Sequence, residues 1–227
     1  GDNDSWRLSR LRWLNSKDGT EDTVPPPFAP IEVDDKTVSI LGRDLTLTET
    51  GLPEQIYSRF TDDMRRTDGA PVSLLAGPAA FKIAAADGRE EVFQAESINV
   101  EAGNSYASWT SVSAAGDLTM QLKGQLDFDG NTEYEVKISA VKSVKLKDIS
   151  LEIPMSGEMA RYMTGLGREG GTIPDDFLWA WDVRKNQDAV WIGAVHGGIQ
   201  VTLKDENYSR PLNTNFYHLK PLVMPSS

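Results

Sequence analysis

The chain predicts an all-β protein: an antiparallel β-sandwich of about 13–16 strands with one short helix. Two observations carry this. Apolar and polar residues alternate in short runs, and turn signals such as Asp87-Gly88, Gly103-Asn104, Gly116-Asp117 and Asp129-Gly130 recur about every 8–12 residues. With 227 residues, 39% hydrophobic and 25% charged, the chain has the volume and composition to bury a core. One large domain spanning residues 1–227 is expected.

In order, residues 6–14 read as an edge strand, and Val24-Pro-Pro-Pro-Phe-Ala-Pro30 ends it, because prolines give no ladder N–H. Residues 37–41, 44–48 and 55–60 alternate as strands, the first two joined as a hairpin around Gly42-Arg43. The charged run 62–69 is turn-like. A meander follows over 72–75, 80–85, 91–100, 105–113, 118–128 and 132–141, then a long strand over 144–153 that Pro154 ends. Ser156 as N-cap, Met159, Tyr162 and Met163 on one face, and Gly165 as terminator predict a helix. Strands resume over 178–183, 189–195, 199–203 and 215–220. No repeat and no low-complexity tract interrupts the pattern.

The bulk chemistry excludes several functions. The formal net charge is −11 and no basic stripe appears, so nucleic acid is not an expected partner. No run approaches the 18 or so apolar residues of a spanning helix, and no membrane insertion is expected. There is no cysteine, which removes disulfides, thiolate catalysis and cysteine-bound zinc. The chain starts at Gly1 rather than Met and stops after Pro225-Ser-Ser227, and a piece of a longer protein is expected.

The richest stretch for function is 162–200, with three of the six tryptophans and one of the two histidines. At strand spacing, Trp179 and Trp181 share one face, as do Trp191, Gly193 and Val195 on the next strand. Flat aromatics beside glycine backbone are what stacking on a hydroxyl-rich ligand such as a sugar requires, and they also serve the interior of a sandwich. Trp109, between Ala107 and Ser111, carries the same two options. His196 precedes Gly197-Gly198 at a strand end, where imidazole would act as acid/base, ligand or plain hydrogen-bonding group. His196 and His218 lack metal-ligand spacing. Asp127/Asp129 and Asp175/Asp176 are the adjacent carboxylates available for glycosidase chemistry, but the first pair flanks a turn and the second lies in a loop. Asp127, Asp129 and Asn131 begin like a calcium loop, with Gly130 misplaced and no closing Glu. Gly165-Leu-Gly-Arg-Glu-Gly170 has the letters of a dinucleotide fingerprint without the β-α context. No catalytic residue, metal site or cofactor is assigned.

Several segments resemble the N-terminal β-sandwich region of large bacterial proteins related to glycoside hydrolase family 123, of the Bacteroidetes type. They are Leu11-Arg-Trp-Leu-Asn-Ser16 with Val24-Pro-Pro-Pro-Phe28, Gly51-Leu-Pro-Glu-Gln-Ile-Tyr-Ser58, Gly124-Gln-Leu-Asp-Phe-Asp-Gly130, Leu151-Glu-Ile-Pro154, the Gly/Trp stretch through Gly198, Arg210-Pro-Leu212 and Pro221-Leu222. In order, they span most of the chain. The resemblance implies a downstream (β/α)8 barrel that holds the catalytic acids, an Asp-Glu pair assisted by the substrate acetamido group. It also implies export to periplasm, cell surface or medium. On that footing the chain is a non-catalytic, carbohydrate-associated accessory domain. Its partners would be a glycan or the parent's barrel, and Trp179, Trp181, Trp191, His196 and Trp109 are the candidates for sugar contact. A free-standing carbohydrate-binding module is one alternative. A sandwich enzyme of lyase or epimerase type using His196 is another.

Overall fold

The computed structural model describes residues 22–180 and 189–204. Among them there is no helix, and every paired strand is antiparallel. The first sheet holds β1 (Glu32–Asp34), β2 (Thr37–Ile40), β3 (Arg43–Leu47), β4 (Pro53–Ser58) and β5 (Val72–Ser73), in that order. The second holds β8 (Gln94–Ala102), β9 (Tyr106–Ala115), β10 (Leu118–Asp127) and β11 (Thr132–Ala140), again as neighbours in sequence. In the third, β6 (Ala80–Ala85) lies between β7 (Glu90–Val92) and β12 (Leu146–Glu152). The fourth runs β14 (Arg168–Thr172), β13 (Tyr162–Gly165), β15 (Ala189–Ala194), β16 (Gly197–Thr202).

All-β, antiparallel architecture therefore stands, but a clear two-layer sandwich does not. The strands divide among four small sheets, closer to propeller-like blades than to two stacked layers. The reason lies in the length of β9 and β10. Each has 10 residues, or about 33 Å, and each buries every second side chain along one face. That face is too long for one short partner sheet. Its Ala107, Trp109, Leu122 and Leu126 end packs with Val38, Leu45 and Leu47 of the first sheet. Its Ala115, Leu118 and Met120 end packs with Ile83 of β6 and with Phe93. Phe93 is the residue at which the expected strand 91–100 breaks, β7 joining the third sheet and β8 the second.

Trp109 is the keystone of the first core. It is 1% exposed, and its indole Nε1 donates to the Gly51 carbonyl at 2.8 Å. Gly124 stands directly across from it in the ladder, and the indole occupies the space a Cβ on Gly124 would need. Tyr134, on the far side of Gly124 in β11, meets the indole edge-on with centroids 5.7 Å apart. Ser111 Oγ donates to the Thr50 carbonyl at 2.6 Å, so the 48–52 turn is tied to β9 twice.

The predicted helix after Ser156 is not formed. Ser156 makes one turn, its carbonyl accepting from Met159 N and Ala160 N at 3.0 and 2.8 Å. Its hydroxyl bonds the Ser73 carbonyl at 3.1 Å instead of a helix N–H. Met159 and Met163 are both buried, 2% and 5% exposed, which is the signal that mimics a helical face. The chain reaches that burial through a turn and a strand, because β13 pairs on both edges, with β14 and β15. The expected strand over 178–183 is absent at 178–180, while 181–183, 6–14 and 215–220 lie outside the described residues.

Candidate functional site

The outward face of the fourth sheet collects the chemistry of the 162–200 stretch. Gly165 and Arg168 pair across the β13–β14 hairpin, and Gly165, Leu166 and Gly167 have φ of 108°, 51° and 82°. This is left-handed turn backbone, which glycine adopts without steric penalty. Of the glycines that spell a dinucleotide fingerprint, Gly165 and Gly167 thus shape a hairpin turn and Gly170 lies on β14, so they form no phosphate cradle.

Register then sorts the side chains. Met163 lies opposite Ile192, which lies opposite Ile199, and this apolar row defines the inward face. The alternate rows point outward. Thr172, Tyr162, Gly193 and Gly198 form one, and Thr164, Trp191 and Gln200 the next. Gly193 and Gly198 face each other in the ladder, and the Trp191 ring lies over both. Its Cζ2 stands 2.5 Å from where a Gly193 Cβ would be and 2.7 Å from that of Gly198. The indole thus replaces two missing side chains as the surface of the sheet, and it is partly exposed. Tyr162, across from Gly193, is 47% exposed. Thr164, Thr172 and Gln200 are exposed hydrogen-bonding groups around the two rings.

The other sequence candidates fall elsewhere. Trp109 is enclosed in the core, and a ring so placed offers no face to a sugar. Trp179 is partly buried in a segment that is not a strand, so it does not form a ladder partner for Trp191. Trp181 and His218 lie outside the described residues. His196 occupies the two-residue turn between β15 and β16. Its carbonyl accepts from the buried Ser58 hydroxyl at 2.8 Å, which anchors the fourth sheet to β4. Its ring is 31% exposed, with Nδ1 at 3.7 Å from the exposed Asp62 Oδ1. That is an ion-pair distance, longer than a hydrogen bond. Ser58 is turned to the carbonyl rather than to the ring, so Ser58 and His196 do not form a nucleophile–base pair.

Asp127 and Asp129 serve their own turn. Asp129 Oδ1 accepts from Asn131 N at 2.8 Å, and Asp127 Oδ1 from Gln125 Nε2 at 2.8 Å. Asp175 and Asp176 are exposed. No group of three or more metal-ligating side chains occurs among the described residues, and no helix there is long and apolar enough to cross a membrane. Sequence reasoning picked out Trp191, Gly193 and His196. It misses Tyr162 and Thr164, which a helical reading of 156–165 takes off the sheet, and Gln200, whose place beside Trp191 depends on the β15–β16 register. The Gly-Leu-Gly of 165–167, read as a hairpin signal, would have put Tyr162 and Thr164 on a strand beside Trp191.

The fold and this surface define an all-β, antiparallel domain that carries an aromatic ring laid over paired glycines on one sheet face. The chain matches the family model of the glycoside hydrolase 123 third domain over residues 31–227, and it belongs to that family. No curated protein matches it. The relation to glycoside hydrolase 123 expected from the residues is therefore shown. The matched family is a third domain, and neither an N-terminal place in the parent nor a Bacteroidetes origin is part of that match.

Proposed function

We propose that the chain is a non-catalytic accessory domain of an exported glycoside hydrolase-like protein, supporting a separate (β/α)8 barrel and adding glycan contacts of its own. The observation that carries this is Trp191 lying over the Gly193–Gly198 pair on an outward sheet face, in a domain of a glycoside hydrolase family. Aromatic rings laid on a sheet present the apolar surface that the C–H face of a sugar ring packs against. Trp181, Trp179 and His196 lie close to this surface in sequence and extend the candidate contact set.

Glycan-array binding by the 227-residue chain tests the contact role. Binding that falls on Trp191→Ala or Trp181→Ala supports it, and a chain that binds no glycan removes it. The division of labour has its own test. Saccharide turnover by the isolated chain that disappears in His196→Ala would replace the accessory role with a catalytic one. For export, cell fractionation of the full-length parent is the measurement, and retention in the cytoplasm would refute it.

A further inference from the structure

The rows of the fourth sheet also limit what kind of sugar its outward face would take. Across β13, β15 and β16 the outward side chains are Tyr162, Thr164, Ala189, Trp191, Gln200 and Thr202, with Gly193 and Gly198 between them. None of them is charged at neutral pH, although 25% of the chain is Asp, Glu, Lys or Arg. Thr172 extends the uncharged patch onto β14 beside Tyr162. Exposed sheet faces ordinarily use charged residues, which keep neighbouring molecules off. Here two aromatic rings are surrounded by hydroxyl and amide groups that donate and accept without carrying charge.

We infer that this face, centred on Tyr162 and Trp191, is a binding site for uncharged pyranosides. The inference rests on the glycan-contact role proposed above and narrows it. One ring face of the sugar packs on Trp191 over the Gly193–Gly198 pair, and a second contact falls on Tyr162. Thr164 and Gln200, flanking Trp191 on its two neighbouring strands, bond the ring hydroxyls. From β13 to β16 the patch spans two strand spacings, about 10 Å, which suits one or two sugar units rather than a long chain. An acidic sugar finds no cation in these rows and meets the −11 net charge of the chain.

The test uses the 227-residue chain with methyl β-galactopyranoside, methyl β-glucopyranoside and N-acetylglucosamine as neutral probes and glucuronate as the anionic one. Nuclear magnetic resonance titration reads both affinity and location. The expected result is that at least one neutral probe shifts the Tyr162 and Trp191 ring signals and that glucuronate does not. Tyr162→Ala and Gln200→Ala each weaken binding about tenfold, and Thr164→Glu abolishes it. All three positions are exposed, so these variants keep the wild-type circular dichroism. Trp191 is left in place because its ring fills the space above two glycines. Neutral binding of equal strength in all three variants overturns the site while the broader glycan-contact role survives. Tighter binding of glucuronate overturns the ligand class. Binding of no probe together with a blank glycan array overturns both. A dimer in sedimentation that Thr164→Glu dissociates would make the face a contact between copies and overturn the sugar site.

Discussion

Among the described residues a tryptophan crosses a glycine on the neighbouring strand twice, and the two cases have opposite consequences. Trp109 over Gly124 is sealed in the core, while Trp191 over Gly193 and Gly198 forms surface. Glycine is costly in a strand, having no side chain to pack, and in both cases the indole fills the gap. The core pair makes a sharp prediction. Gly124→Ala drives a methyl into an indole that the Gly51 carbonyl holds in place. Overpacking of this kind costs about 1–3 kcal/mol, to be read as a fall in the denaturant midpoint at unchanged slope. Trp109→Phe keeps an aromatic ring but leaves the Gly51 carbonyl unbonded and a void beside it, a loss of about 2–4 kcal/mol by the same measurement. A Gly124→Ala protein as stable as wild type would mean that the indole is not pinned.

Among the elements, the β13–β14 hairpin decides whether the candidate site exists, because it places Tyr162 and Thr164 next to Trp191. Its two turn glycines differ in a testable way. Both have positive φ, 108° at Gly165 and 82° at Gly167. A Cβ on Gly165 would also run into the Ala189 carbonyl, whereas one on Gly167 meets open space. Gly167→Ala therefore carries only the backbone penalty, about 1 kcal/mol. Gly165→Ala adds displacement of β15 and is expected to lose clearly more, with a weakened Trp191 near-ultraviolet signal as β15 shifts. Equal effects from the two substitutions would show that β13 and β15 are not held as closely as the Ala189 contact requires.

Over the whole molecule, acidity is spread across short-range ties that set its pH range. Ser105, through its hydroxyl and backbone N–H, holds the Asp22 carboxyl below the ordinary 3.8. The Thr61 hydroxyl and the Arg65 N–H do the same for Asp63. For Asp87 the Arg89 backbone N–H comes first, then the Arg89 side chain. A carboxyl depressed on folding stabilises the folded state above its unfolded value, and the contribution is lost as pH falls through the folded value. Lys36 beside Glu49 and Lys82 beside Glu152 are raised, so their contributions are complete below 10.5 and vanish only above it. The melting temperature should therefore be level between roughly pH 5 and 10 and decline below about pH 4. The three carboxyls are exposed and screened by salt, so the acid decline should be shallow. A melting temperature that rises on acidification below pH 4 would contradict these ties. Binding of a neutral saccharide should, in contrast, be insensitive to ionic strength, since no charge takes part.

The period-two alternation by itself determined that this chain is antiparallel β, and its turn residues marked most boundaries. Residues 80–85 form β6 as expected, and the hairpin at Leu41-Gly42 joins β2 to β3. Side-chain period and turn chemistry are local properties, so they can be read without knowing what lies across the core. Which sheet a strand joins is not local. The length of β9 and β10 and the break at Phe93 produce four sheets where continuous runs predicted two. Methionines four apart looked like a helix because burial every fourth residue is shared by one helical face and by a turn leading into a strand. Trp109 and Trp191 are both aromatics on strands, both facing glycine, and only the tertiary arrangement put one in the core and the other at the surface. Burial depends on which sheet covers a face, and that is settled by contacts between residues far apart in the chain.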